Sequence, residues 1–141
     1  MLQVSRLAPQ LLGESSELVT RFISGHLHAS GGFEDRDGEP DLYYTVFGLE
    51  ALLSLGAEVP VERVAGFLRG FGGGQALDLV YLSCLARCWS ALPGAEPAPD
   101  ARAAMLERLA DFRVAGHGYG NDVGDTETEK HGDETGKSVY R

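Results

Sequence analysis

The sequence predicts an all-α fold. Three observations lead to this prediction: apolar residues recur at three- and four-residue steps in three segments, two further segments are apolar on almost every side, and no segment shows strand-like alternation of comparable strength. With 141 residues, the chain is one domain at most. We divide it into a helical region over residues 1–120 and an acidic, flexible tail over residues 121–141, which lacks apolar anchors.

Three of the predicted helices carry a single apolar stripe, and we expect them on the outside of the fold. The first runs from Leu18 to His28. The second begins at Pro60, which suits a first helical turn because that position has no partner for an N–H. The third begins at Asp100, whose carboxylate can cap the free N–H groups of the first turn. The stripes consist of Leu18, Val19, Phe22 and Ile23, then Val61, Val64, Phe67, Leu68 and Phe71, then Met105, Leu106, Leu109 and Phe112.

Two helices of a different kind, "DLYYTVFGLEALLSL" and "DLVYLSCLARCWSAL", begin at Asp41 and Asp78 and are apolar on nearly all sides. A helix that is apolar all round must be covered all round, so we expect an inner pair that lies side by side and roughly parallel. Superimposing the two segments matches Asp41 with Asp78 and Tyr44 with Tyr81, an offset of 37 residues. A glycine-rich loop and a striped helix precede each segment. The sequence therefore predicts repeated helical hairpins over about 16–56 and 60–93, with an incomplete third over 100–120.

The segment "GGFEDRDGEPDLYYTVFGLEALLSLG", which begins at Gly31, resembles the glycine-glycine-aromatic repeat of protein prenyltransferase β subunits, most closely the Rab geranylgeranyltransferase type. The same repeat occurs more loosely in squalene and other terpenoid cyclases. The resemblance covers roughly residues 22–119 and is stronger in the first repeat than in the second. It implies a partial α/α toroid, in which inner helices ringed by outer helices enclose an apolar cavity. It also implies an isoprenoid diphosphate and an α subunit as possible partners.

The resemblance bears on metal binding, because prenyltransferases activate the acceptor cysteine with zinc held by Asp, Cys and His. Asp41 falls on the position of the Asp ligand, whereas Tyr43 and Tyr44 fall on the positions of Cys and His. Tyrosine does not replace a thiolate or an imidazole in a tetrahedral zinc site. We therefore expect no cofactor in this chain, and zinc rests on the resemblance alone. The alternative role of Asp41 is the N-cap of its helix, and the recurrence of aspartate at Asp78 favours it.

Aromatic side chains are the candidates for a cavity wall, because their faces suit isoprenoid chains and cations. The candidates are Tyr43, Tyr44, Phe47, Tyr81 and Trp89. Alternatively, they pack in the core with their polar atoms bonded to neighbouring backbone. With two inner helices in the sequence, we also expect an uncovered apolar flank that includes Phe47, Leu82 and Trp89. Such a chain is expected to be a fragment of a longer protein or to self-associate.

Four other patterns do not require a functional explanation. Cys84 and Cys88 lie four residues apart on one helix face, and we interpret them as buried core thiols. His26 and His28 lie at the end of the first striped helix, where cationic side chains interact favourably with the last backbone carbonyl groups. The acidic loop "EDRDGEPD" offers oxygen ligands for weak calcium binding, but solvation alone also explains it. The segment "GDETGKS" is one residue too short for a phosphate-binding loop.

Composition excludes some partners. Twelve Lys and Arg against twenty-one Asp and Glu give a net charge of −9, which repels nucleic acid and anionic lipid. The N-terminal segment is too polar for a signal peptide or a membrane span, so we expect a cytoplasmic protein with reduced cysteines. Two functions remain. The chain is either part of an enzyme that transfers or processes a geranylgeranyl-type group, and inactive alone, or a non-catalytic module that binds an apolar ligand or a partner protein.

Overall fold

The computed structural model describes residues 8–114 and 118–120, and most of them are helical. The helices are α1 (Ala8–Leu12), α2 (Ser15–Gly25), α3 (Leu42–Ser54), α4 (Val61–Arg69), α5 (Leu79–Ala91) and α6 (Pro99–Asp111). Two antiparallel pairs of two-residue strands join β1 (Phe33–Glu34) to β2 (Pro40–Asp41) and β3 (Arg113–Val114) to β4 (Gly118–Tyr119). The predicted all-α class is confirmed. The strand pairs were not predicted, because two residues are too few to show an alternating pattern.

Helices α3 and α5 lie side by side and form the most extensive contact between two helices of the described chain. Near their N-terminal ends, the Tyr81 hydroxyl donates to Asp41 Oδ2 at 2.9 Å. About two turns further on, Arg87 pairs with Glu50. Since the contacting residues follow the same order along both helices, α3 and α5 run parallel, as the sequence predicted.

Both helices begin with the same cap. Asp41 Oδ1 accepts a hydrogen bond from the Tyr44 N–H at 3.0 Å, and Asp78 Oδ1 accepts one from the Tyr81 N–H at 2.8 Å. Each aspartate has an extended backbone and satisfies an N–H that the first helical turn leaves free. The offset of 37 residues that matches the two caps also matches Glu50 with Arg87.

The first glycine loop is wedged between α3 and α4. The ring of Phe33 lies against Gly48 of α3, where any side chain would overlap it. The buried Phe33 N–H donates to Thr45 Oγ1 at 2.9 Å, so the hydroxyl that interrupts the apolar run of α3 fixes this loop. On the other side, a Cβ on Gly31 would overlap the carbonyl of Arg63 in α4, and Gly31 has a φ of 104°. Packing of the first loop therefore requires glycine at Gly31 in the loop and at Gly48 in α3.

The second glycine loop makes corresponding contacts one hairpin further along. A Cβ on Gly73 would overlap Ala104 of α6, and one on Gly74 would meet Leu82 of α5. Each glycine loop therefore packs against the striped helix that follows it in the sequence. Leu82 and Trp89, both predicted to lie on an uncovered flank, are buried in the core, so that prediction is wrong for these two residues.

The striped helices are buried to different extents. Helix α4 packs one face into the core, where Val64 and Leu68 are fully buried. Helix α2, all of which the structure describes, buries none of its side chains, and Leu18 and Phe22 are exposed. Leu106 of α6 is exposed as well. All three residues belong to the predicted apolar stripes, and in the described structure these stripes are not fully covered at these positions.

Several helix boundaries differ from the prediction. Helix α2 ends at Gly25, before both histidines. Helix α4 begins at Val61 and uses Pro60 as its N-cap residue. Helix α6 begins at Pro99, which places Asp100 inside the first turn rather than at the cap. Proline at the first helical position is favoured because its missing N–H has no partner there.

The core lies between α3, α4, α5 and α6. Leu49, Leu68 and Leu85 are fully buried where α3, α4 and α5 meet, and Met105 and Phe112 extend the core toward α6. No helix in the described part of the chain has both the length and the apolar character to cross a membrane. The predicted acidic tail over 121–141, including "GDETGKS", lies outside the described residues.

Candidate ligand-binding face

Four large apolar side chains are exposed on α3 and α5, although both helices were predicted to be covered all round. The exposed fractions are 45% for Tyr43, 51% for Phe47, 50% for Val80 and 37% for Tyr81. Single exposed apolar side chains are common, but a group of them on one surface is characteristic of a binding site. The prediction of complete coverage is therefore wrong on one side of the helix pair.

These side chains share one side of the pair. On α3, Tyr43, Phe47 and Glu50 follow the spacing of a single helical stripe, and on α5 the matched stripe contains Val80, Cys84 and Arg87. Because Glu50 and Arg87 meet across the two helices, both stripes border the same surface. We call this surface, formed by Tyr43, Phe47, Val80 and Tyr81, the α3–α5 face.

The aromatic rings on α3 are held in place by one another. The ring of Tyr43 meets that of Phe47 edge to face, with centroids 4.9 Å apart, and that of Tyr44 at 6.1 Å. Such pairs favour one relative orientation of the rings. The face therefore presents an ordered aromatic surface, while Tyr44 lies to its side and is partly buried.

Polar contacts lie at both ends of the face. At the N-terminal end, Asp41 uses one carboxylate oxygen for the Tyr44 N–H and the other for the Tyr81 hydroxyl. The bond to Asp41 raises the pKa of Tyr81, with smaller contributions from burial and from the negative charges of Asp41 and Asp78. At the C-terminal end lies the Glu50–Arg87 ion pair. Tyr81 therefore remains a neutral hydrogen-bond donor at neutral pH.

The residues present do not fit a zinc ion. Both oxygens of Asp41 already accept hydrogen bonds, and Tyr43 and Tyr44 offer neither a thiolate nor an imidazole. Within the described residues, no group of three or more His, Cys, Asp or Glu side chains is arranged to hold a metal. In the acidic loop, Asp35 Oδ1 accepts the N–H groups of Asp37 and Glu39, so this carboxylate stabilises a turn.

The two cysteines lie in the core next to the face. Cys88 is fully buried, and burial raises its pKa to about 12. Burial also raises the pKa of Cys84, although the positive charge of Arg87 opposes the shift. Both groups are therefore protonated thiols at neutral pH and poor nucleophiles.

The histidines contribute differently than predicted. His26 bonds to the Ile23 carbonyl through its backbone N–H rather than its ring, and the ring packs edge to face on Phe22. His28 accepts a hydrogen bond from the Ser30 N–H at Nδ1. The predicted contact of histidine rings with the last helical carbonyls is wrong, because the helix ends before both residues.

Trp89 lies apart from the other candidate wall residues. It borders a cleft of about 590 Å³ between α5 and α6, which we call the edge cleft. The indole is 6% exposed, and within the described structure its N–H has no hydrogen-bond partner. Apolar residues that line the cleft include Ala86, Trp89, Leu92, Met105, Leu106 and Leu109, and the Glu96–Arg102 ion pair also borders it. The structure therefore brings Tyr43, Phe47 and Tyr81 together and leaves Trp89 at a different location.

Sequence analysis missed the residues that delimit the face. Glu50, Arg87 and Val80 lie within the two predicted inner helices, but none of them was predicted to be a site residue. The offset of 37 residues contained the missing information, because it pairs Glu50 with Arg87 and Tyr43 with Val80.

Comparisons of the chain with protein-family models, with curated proteins and with solved structures find no match.

Proposed function

We propose that the chain is part of an α/α toroid related to prenyltransferase β subunits, and that the α3–α5 face is part of the wall that binds an isoprenoid chain. The exposed aromatic and apolar side chains at matched positions of two parallel helices carry this proposal. Tyr43 and Phe47 contact each other on α3, and Val80 is exposed at the position of α5 that the 37-residue offset matches with Tyr43. Removing such surface from water is favourable by about 25 cal/mol per Å².

The layout of the helices also supports the proposal. Outer helices α4 and α6 each pack against the glycine loop of the preceding hairpin, and the two parallel inner helices keep one side open. An open side on every inner helix is what a toroid needs to enclose a cavity. We propose that further helical hairpins complete the toroid.

We assign binding rather than group transfer to the described residues. Metal-assisted transfer requires ligands that Asp41, Tyr43 and Tyr44 do not supply. The thiols of Cys84 and Cys88 are buried and protonated. We therefore expect that the chain alone does not transfer a prenyl group from geranylgeranyl diphosphate to a cysteine peptide. In a parent enzyme, the reacting groups would come from elsewhere.

Binding of uncharged isoprenoid alcohols tests the proposal. We expect saturable binding of farnesol or geranylgeraniol to the chain, measured by displacement of a fluorescent apolar dye. Phe47→Ala should weaken binding by roughly tenfold, because it removes an aromatic contact at the centre of the face. Phe22→Ala is the matched control, since Phe22 is also an exposed phenylalanine but lies on α2. No saturable binding, or equal weakening by both substitutions, would contradict the proposal.

Exposed apolar side chains elsewhere favour a second candidate function, association with a partner protein or a second copy. Leu11, Leu18 and Phe22 are exposed on α1 and α2, outside the α3–α5 face. If this surface mediates association, sedimentation should show concentration-dependent dimers that Leu18→Ala and Phe22→Ala weaken and Phe47→Ala does not. A compact monomer over a wide concentration range would exclude self-association.

A further inference from the structure

The charges around the α3–α5 face bear on which ligand head group can bind there. At the N-terminal end, Asp41 and Asp78 place a full negative charge at each helix terminus. The helix dipole supplies only about half a unit of positive charge, so each capped terminus remains negative by roughly half a unit. This end of the face is therefore negative.

The opposite end of the face is close to neutral. Arg87 is the basic side chain that borders the face, and its guanidinium is paired with the Glu50 carboxylate. Asp41 and Glu50 are nine residues apart on α3, which corresponds to roughly 13 Å along the helix axis. An apolar chain that lies along Tyr43 and Phe47 thus has a negative group at one end and a neutralised pair at the other.

We propose that the α3–α5 face prefers apolar ligands with a cationic head group, such as an amine, to ligands with an anionic head group. This inference rests on the proposed function, because it assumes that an apolar chain lies on this face. The ammonium group would lie at the Asp41 and Asp78 end, beside the ring of Tyr81, which can contribute a cation–π contact. A phosphate would meet carboxylates at that end, and Glu50 competes with it for Arg87 at the other.

Three ligands with the same tail test the preference: farnesylamine, farnesol and farnesyl phosphate. We expect the amine to bind roughly three- to tenfold more tightly than the alcohol, and the phosphate to bind more weakly by a similar factor, as for charges several ångströms apart near a protein surface. The differences should shrink at 0.5 M salt, because the groups are exposed. Phosphate binding as tight as amine binding would overturn the inference alone. Failure of all three to bind would overturn the proposed function as well.

A matched pair of variants locates the effect. Glu50→Gln leaves Arg87 without its carboxylate partner, so farnesyl phosphate should bind roughly three- to tenfold more tightly. Glu62→Gln removes the carboxylate of the Glu62–Arg69 pair on α4, away from the face, and should change this affinity less than twofold. Both variants alter net charge equally and replace exposed side chains. An equal gain in both would mean that total charge, not the face, governs binding, and would overturn the inference.

Discussion

The α3–α5 face and the edge cleft are both apolar, but their side chains serve the fold differently. In the edge cleft, Trp89 and Met105 are almost fully buried and belong to the core. On the face, Tyr43, Phe47 and Val80 are about half exposed and lie outside it. Side chains that the core does not use can bind a ligand without a cost to folding. The comparison therefore favours the open face, rather than the more concave cleft, as the functional surface.

The polar groups of the two regions differ as well. Both ends of the face carry satisfied contacts, Asp41 with Tyr81 and Glu50 with Arg87. In the edge cleft, the Trp89 N–H is buried and has no partner within the described structure. A buried donor without an acceptor is rare and destabilising. The cleft therefore has the character of an incompletely packed edge.

Truncation of one aromatic residue in each region should give the largest contrast. We expect Trp89→Ala to lower the free energy of unfolding by about 3–5 kcal/mol, because it leaves a cavity in the core. Phe47→Ala should lower it by less than about 1 kcal/mol, because the ring is half exposed. Urea unfolding measures both values. A loss for Phe47→Ala as large as that for Trp89→Ala would show that the face is structural.

The stability of the protein should fall as the pH rises above about 9. The Cys88 thiol has a folded-state pKa of about 12, against an ordinary value of 9.0. Between these values the folded protein retains a proton that the unfolded chain has lost, so each pH unit costs up to about 1.4 kcal/mol per thiol. Cys84 and Tyr81 shift in the same direction. Urea unfolding from pH 7.5 to 10.5 should show this slope.

Cys88→Ala is the control for this pH dependence, because it removes the most strongly shifted thiol. The slope should become shallower in the variant. An unchanged slope would mean that the core beneath the face is accessible to water.

Loss of each helix cap should lower the free energy of unfolding by a smaller amount than the changes above, and the two caps should differ. We expect Asp78→Ala to lower the free energy of unfolding by about 1 kcal/mol, the usual cost of a lost N-cap. Asp41→Ala should cost more, because the Tyr81 hydroxyl also loses its acceptor. Asp41→Asn can keep the cap and serves as the control. If Asp78→Ala lowered the free energy of unfolding more than Asp41→Ala does, the stabilising role of the hydrogen bond between Tyr81 and Asp41 would be contradicted.

The smallest expected effect is the coupling between Glu50 and Arg87. A double-mutant cycle with alanine at both positions should give about 0.5 kcal/mol, because the pair is exposed to solvent. The Glu62–Arg69 pair on α4 is longer, at 3.9 Å, and more exposed, so its coupling should be close to zero. Equal coupling in both cycles would show that the contact across the face is not specific.

Patterns in the sequence predicted five of the six described helices and the parallel inner pair, but not the short helix α1. An aspartate followed by an apolar run predicts a cap because the contact spans three residues, as for Asp41 with Tyr44. The offset of 37 residues predicted that α3 and α5 are equivalent. The cap depends on residues that are close in the sequence, and the structure contains it together with the parallel packing of α3 and α5.

Burial of individual stripes could not be predicted in the same way. Apolar periodicity shows which residues share a helix face, but it does not show what packs against that face. Leu68 and Phe22 lie on similar stripes, yet Leu68 packs between helices and Phe22 faces solvent. Trp89 was assigned to a cavity wall with Tyr81, whereas the structure turns it toward α6. These outcomes depend on contacts between segments that are distant in the sequence.

Mapping of ligand contacts by NMR tests the central claim most directly. Farnesol is titrated into protein labelled with ¹³C at the aromatic rings and at the methyl groups of Val, Leu and Met. We predict that the signals of Tyr43, Phe47 and Val80 shift in a saturable way, while those of Trp89 and Met105 stay unchanged. Saturable shifts at Trp89 and Met105, with unchanged signals on the face, would contradict the account and assign the ligand to the edge cleft.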